Sequence, residues 1–228
     1  RRVLFRSGGD LWWVTPDDGQ NTMTFVVVDC AGHGVPGAML ALLASTTLER
    51  IFAGNPDTGP ADALMALGNA LRRGLNQDQD LVEGDVAHDD GCDAAALQIH
   101  TATGQVVFAG ANLSALQLPA TGPIIRRRGD SMRLGYRDAL DARPTEQTFV
   151  CQPGDRWVMA TDGVVDQVGH QEGQAPRAFG FKRLMQCLED ERALNASALM
   201  NKLGQTLQDW QGEGLRRDDV TALCLQLF

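Results

Sequence analysis

The chain has 228 residues, 43% of them hydrophobic and 21% charged, which suits one domain with a sizeable core. Its formal net charge of −9 at pH 7 excludes the basic footprint of a nucleic-acid binder, and the one basic cluster, at 126–128, reads as a solvated strand end. Five scattered cysteines without a C-x-x-C pair exclude a disulfide framework and a zinc site, and fit a reducing cytosol.

The opening "RRVLFRSGGDLWWV" lacks an initiator methionine and runs at once into a strand, which suggests a fragment cut from a longer protein. No signal-peptide pattern precedes it, and no uninterrupted apolar run reaches the ~20 residues of a membrane span, so the piece reads as soluble. The stretch "LWWVTPDDGQNTMTFVVVDC" predicts a hairpin that turns between Pro16 and Gly19. From Pro36 the spacing becomes helical, with Leu40, Leu43, Thr47, Leu48 and Ile51 on one face. A second helix is expected from Ala61 to about Asn76, on Leu64, Leu67, Leu71 and Leu75.

Strands return in "DAAALQIHTATGQVVFAGANLSALQLPATGPIIRRR", with turns at Gly104 and Gly122. The runs "TEQTFVCQ" and "DRWVMATD" predict a further pair that turns at Pro153 and Gly154. Helical patterns follow at about 179–190 and 196–210, and "DDVTALCLQLF" supplies a last strand. The order is strands, two helices, many strands, two helices, one strand. The strands lie too close together in the chain for repeated βαβ crossovers. The expected fold is therefore α+β, a layered αββα sandwich of two antiparallel sheets packed face to face, with helix pairs on the outer faces.

Acids recur at strand margins: Asp10 after "SGG", Asp29 after "FVVV", Asp162 after "WVMAT", and Asp218 and Asp219 before "VTALCLQL". An isolated carboxylate inside a sheet costs several kcal/mol, on the order of the desolvation penalty of a buried ion. Acids at the sheet edge can instead converge on a hard divalent cation such as Mg²⁺ or Mn²⁺, and Gly32 and Gly34 would let the backbone approach it. Each acid also has a plainer reading. Asp29 and Asp162 could cap or open a turn, Asp218 and Asp219 could begin a strand from an exposed turn, and His33 could simply face solvent. Taken from the residues alone, both readings stand and no substrate follows.

At these residues the sequence resembles the metal-dependent serine/threonine protein phosphatases of type 2C, in the bacterial branch typified by the stage II sporulation phosphatase. The resemblance rests on "SGGD", "DCAGHGVPGAM", "ATDGVVD" and "RRDDVTALCL" in that order, over nearly the whole chain. It implies one catalytic domain over 1–228 and two bound ions, Mn²⁺ or Mg²⁺, with a looser third in some members. Asp29 matches the acid that bridges the two ions, and the backbone carbonyl of Cys30 a second ligand. Asp162 and Asp218 match acids that complete the other shell. Asp219 occupies a neighbouring place, and Asp10 matches an acid near the same ion. Asp93 resembles a position used for the additional ion. Trp13 stands where many relatives have an acid, and the arginine that grips phosphate in eukaryotic members has no clear replacement.

The resemblance implies hydrolysis of phosphoserine or phosphothreonine by a metal-activated water, without a protein nucleophile. The expected partner is a phosphorylated bacterial signalling regulator of the anti-sigma-factor-antagonist type, in the cytoplasm, with no nucleic acid and no membrane contact by this piece; a homodimer is compatible. The polar stretch 163–180 reads as a flap that helps select the substrate. A competing expectation is a pseudophosphatase that binds such a regulator without turnover. A haloacid-dehalogenase reading of "TDGVVD" requires a parallel strand and an Asp-x-Asp pair, and here Asp162 and Asp166 are four apart.

Overall fold

Residues 25–30 alternate between two buried environments, and that alternation sets the layers. Val26, Val28 and Cys30 belong to one apolar cluster, while Phe25 and Val27 belong to another. A strand buried on both sides must be covered twice. The computed structural model, which describes residues 2–6 as backbone and 8–15, 21–79, 89–139, 142–169, 175–214, 216 and 218–227, shows both covers.

One five-stranded sheet contains β2 (Asp10–Val14), β3 (Thr22–Cys30), β4 (Cys92–His100), β5 (Gln105–Ala111) and β8 (Gln147–Val150), in that spatial order. The other contains β1 (Arg2–Arg6), β12 (Val220–Gln226), β9 (Arg156–Ala160), β6 (Ala115–Leu118) and β7 (Ile125–Arg127), again in spatial order. Every ladder in the two sheets is antiparallel. Phe25, Val27, Leu97, Phe108, Trp157 and Leu223 fill the space between the sheets.

Helices α1 (Gly34–Gly54) and α2 (Pro60–Gly74) cover the outer face of the first sheet, through Leu40, Ala44, Leu48, Leu64, Leu67 and Leu71. Helices α4 (Gly180–Asp190) and α5 (Ala196–Gln211) cover the second sheet, through Leu184, Leu188, Leu199, Leu203 and Leu207. The αββα layering is thus the observed one. Among the described residues α1 is the one helix long and apolar enough, by length and composition, to cross a membrane. Its inner face packs on the sheet, and its outer side leaves Val35, Met39 and Leu42 exposed.

Two expectations are corrected. The strands on either side of Pro153–Gly154 do not form a hairpin, because β8 pairs with β5 and β9 pairs with β6 and β12 in the opposite sheet. The reason lies in the side chains. Phe149 and Trp157 meet at 5.3 Å between ring centroids, and the indole N–H of Trp157 donates to Cys151 Sγ at 3.3 Å. The two strands therefore face each other across the inner core instead of pairing edge to edge.

The basic cluster is also not simply solvated. The Arg126 guanidinium stacks on Phe181, the Arg127 guanidinium lies over Phe149 and bonds Gln117, and Arg128 is exposed. The predicted turn between Pro16 and Gly19 lies outside the described residues, although the β2–β3 pair that it joins is present.

Candidate metal centre

The register of the first sheet places three acids side by side. Asp10 is opposite Asp29, and Asp29 is opposite Asp93. Directly paired residues point to the same face of a sheet, and like charges opposite one another are destabilising. Asp29 follows the odd-numbered residues Phe25 and Val27, so the row lies at one end of the space between the sheets. A stabilising cross-strand pair would not be built this way.

The second sheet brings its own acids to the same end. Asp162 opens the short helix α3 (Asp162–Val165) directly after β9, and its backbone N–H donates to Asp29 Oδ2 at 3.3 Å. Asp219 precedes β12 and accepts the Gly9 N–H on Oδ2 at 2.6 Å. Gly163 is needed for this approach, since a Cβ there would run into the Asp219 carbonyl. The Gly9 carbonyl in turn accepts the Cys30 N–H at 3.3 Å. The Cys30 thiol is buried with the α1 and α2 side chains on the opposite face.

Thr161, inside the "ATDGVVD" stretch but not singled out from sequence, holds the two sheets together here. Its hydroxyl donates to Asp10 Oδ2 at 2.7 Å and accepts the Thr221 N–H at 3.1 Å. Asn112 was also missed. It lies at the crossover from β5 to β6 with φ 58°, and its amide donates to Asp93 Oδ1 at 2.9 Å. The threonine could have been suspected from its place before Asp162, whereas nothing local marks the asparagine.

Burial first, then the neighbouring carboxylates of Asp162 and Asp10, push Asp29 up to about 9. Asp10 is pushed up to about 6, again by burial first, with Thr161 and Thr221 opposing and Asp219 and Asp218 adding to it. Asp162 is raised by burial, with Asp218 and Asp166 contributing, and Asp93 is raised by burial against the opposing Asn112 bond. These groups resist losing their protons because each loss adds charge to a crowded, partly dry site. A divalent cation removes that resistance.

The donor set fits such an ion: carboxylates and one backbone carbonyl, all oxygen, which suits Mg²⁺ or Mn²⁺. Among the described residues, no three carboxylate, imidazole or thiol groups are already gathered around one point at coordinating distance. Asp218 is exposed and turns its Oδ1 to the Asp219 N–H at 2.8 Å. His33 is exposed at the start of α1 and caps no amide with its side chain. Trp13 faces the outer helices and stacks on Phe52 at 4.8 Å, away from the acids.

The two-sheet sandwich with helices on both outer faces is the fold of the type 2C protein phosphatases. The profile of the stage II sporulation protein E family matches residues 19–228, and the chain belongs to that family. It is similar over its full length to the PP2C domain of SiaA from Pseudomonas aeruginosa, at 25% identity, TM-score 0.83 and 85% coverage of that chain. It also shares its fold with the phosphatase domain of SpoIIE from Bacillus subtilis, at 12% identity and TM-score 0.71, covering 99% of this chain and 60% of that one. RsbX, solved in complex with magnesium, aligns at 14% identity and TM-score 0.64, over 99% of this chain and 94% of that one. Comparison with curated proteins returns no match. The haloacid-dehalogenase reading is set aside, since β9, which leads to Asp162, is antiparallel to both neighbours.

Proposed function

We propose that the chain is a metal-dependent phosphoprotein phosphatase that hydrolyses phosphoserine or phosphothreonine on a bacterial signalling regulator of the anti-sigma-factor-antagonist type. The observation that carries this reading is the convergence of Asp10, Asp29, Asp162 and Asp219 from two sheets onto one end of the sandwich. Nothing in packing rewards such crowding, and a cation does. Asp29, Asp162 and Asp218, the Cys30 carbonyl, Asp10 and Asp219 would hold two ions, with Asp93 available to a third. When bound, Mg²⁺ or Mn²⁺ lowers the pKa of a water and offsets charge on the phosphoryl group.

The chain's own residues then have separate tasks. Asp29 and Asp162 supply negative charge from opposite sheets, and the Asp162 N–H fixes the Asp29 carboxyl. Thr161 orients Asp10 and ties it to β12. The Gly9 N–H fixes Asp219. Such fixed orientation limits the rearrangement that ion binding and turnover demand. None of the five cysteines is exposed, which leaves none placed to act as a nucleophile.

We further read 1–228 as one catalytic domain that works in the cytoplasm. The test is phosphate release from phosphorylated candidate regulators and from an aryl phosphate, with Mn²⁺, with Mg²⁺, and with EDTA after dialysis. Metal-dependent release supports the reading, and full activity in excess chelator contradicts it. Tight binding of the phosphorylated regulator with no release from either substrate would instead establish the pseudophosphatase.

A further inference from the structure

Arg126 is an unusual cation in an acidic protein. It lies on the edge strand β7 opposite Leu116, whose side chain belongs to the outer cluster beneath α4 and α5. Arg126 therefore stands on the outer face of the second sheet. Its Nε donates to Ser114 Oγ at 3.1 Å, and its guanidinium carbon lies 3.3 Å from the centre of the Phe181 ring. Those two contacts fix the plane of the fork. Its two Nη groups have no hydrogen-bond or ion-pair partner among the described residues.

Arg126 also lines a cavity of about 80 Å³ that it shares with Asp162, Val165, Phe181 and Leu184. Burial, and then the neighbouring Arg128, hold its pKa below the ordinary arginine value, as for a partly desolvated cation. Among the described residues, no carboxylate hydrogen-bonds or ion-pairs with it, in a chain with 29 acidic and 20 basic residues. Partly burying an unpaired charge is costly, and a partner from outside the chain would remove that cost.

We propose that this cavity is a recognition subsite for an acidic side chain next to the phosphorylated residue of the protein substrate, with Arg126 as the residue that binds it. The inference rests on the phosphatase reading above. The chemistry of the walls selects the occupant: apolar residues suit a methylene stem, and a planar fork whose Nη groups have no partner among the described residues suits a carboxylate. The phosphoryl group itself belongs elsewhere. The acids that would hold its ions line the space between the sheets, whereas Arg126 stands on the outer face, and Asp162 borders both. The exposed Arg128, just past the end of β7, acts electrostatically on Arg126 and adds positive charge nearby.

The test uses phosphoserine peptides that carry a single glutamate at successive positions on either side of the phosphoserine, each beside its glutamine counterpart. An aryl phosphate serves as reference, with Mn²⁺ throughout and melting temperatures as a check on folding. The wild-type chain should prefer one glutamate peptide by about tenfold in kcat/KM, mainly through KM. Arg126→Met should lower kcat/KM for that peptide at least about tenfold more than for the aryl phosphate, and should erase the glutamate preference. Arg126→Lys, which keeps the charge without the fork, should retain part of it.

Absence of a glutamate preference at every position, or its survival in Arg126→Met, overturns the proposal. So do equal losses on peptide and aryl phosphate, which would assign Arg126 to the phosphoryl group or to the fold. If the wild type releases phosphate from no substrate, the phosphatase reading fails. Binding of the same glutamate and glutamine peptides, followed by fluorescence anisotropy, then decides the subsite independently.

Discussion

Replacing Asp29 by asparagine separates a metal ligand from a structural acid, because the two roles predict opposite changes in the metal-free protein. Asparagine keeps the shape and can still accept the Asp162 N–H that reaches Asp29 at 3.3 Å. It cannot ionise. In the folded chain Asp29 titrates at about 9, raised by burial first and then by Asp162 and Asp10, while an unfolded aspartate titrates at about 3.9. A group raised on folding contributes stability that is fully present below the unfolded value and is lost as pH rises through the folded value. In chelator, wild-type stability should therefore fall between about pH 4 and pH 9.

At pH 7.5 the wild type has lost up to about 1.36 × 3.6, or roughly 5 kcal/mol, on this account. Rearrangement of the crowded carboxyls and entry of water reduce that ceiling, and a gain of about 1–2 kcal/mol is expected for Asp29→Asn. For a chain of this size that corresponds to a melting temperature higher by about 2–8 °C. Adding Mn²⁺ should raise the wild-type melting temperature and leave the variant nearly unmoved, since an ion stabilises only the state that binds it. Turnover should fall by at least about a hundredfold. Thermal melts in EDTA from pH 5 to 9, beside Mn²⁺-dependent phosphate release, provide the measurement. A variant that is destabilised by about 0.5–2 kcal/mol in chelator yet still active would match a cap instead and refute the reasoning.

Thr161→Val removes the hydroxyl that bonds Asp10 and leaves the buried Thr221 N–H without its acceptor, so stability should fall by about 1–3 kcal/mol. Thr161→Ser should recover most of it, and unchanged melting in Thr161→Val would remove the proposed tie between sheets. Thiol-directed alkylation at neutral pH should leave turnover largely intact, because all five cysteines are buried and burial pushes Cys30 up to about 12 and Cys224 up to about 11. Complete loss that substrate protects against would point to a cysteine mechanism. Shortening 170–176, whose residues 170–174 lie outside the described part, while keeping the β10 (Val168–Gly169) and β11 (Arg177–Ala178) pair, should reduce turnover of a phosphoprotein more than that of an aryl phosphate. Equal losses with the fold intact would reject a recognition role for this stretch.

Much of the architecture was legible in the chain because it depends on local periodicity. The three- and four-residue steps of leucines mark α1, α2 and α5, and the runs that stop on Asp29 and Asp162 mark β3 and β9. The acids also stood out, since a carboxylate at the end of an apolar strand conflicts with burial wherever the strand goes. Which acids meet was not legible from the residues themselves and came only as what the resemblance implied. Asp10 and Asp29 are 19 positions apart in sequence and adjacent in register, and Asp219 reaches Gly9 across a separation of 210.

The same limit explains the misplaced hairpin. Pro153 and Gly154 announce a turn, but a turn motif does not say whether the strands beside it will share hydrogen bonds or face each other across a core, and Phe149 against Trp157 decided for the core. Arg126 shows the limit most plainly. Within its own segment it is one of three arginines beside a glycine. Only packing against Ser114 and Phe181, from β5–β6 and α4, makes it a fixed cation that shares a cavity with Asp162 and has no ion-pair partner among the described residues. Residue type and spacing determine which groups want water or burial, while long-range contacts determine which of them share one small volume, and electrostatics depends on that volume.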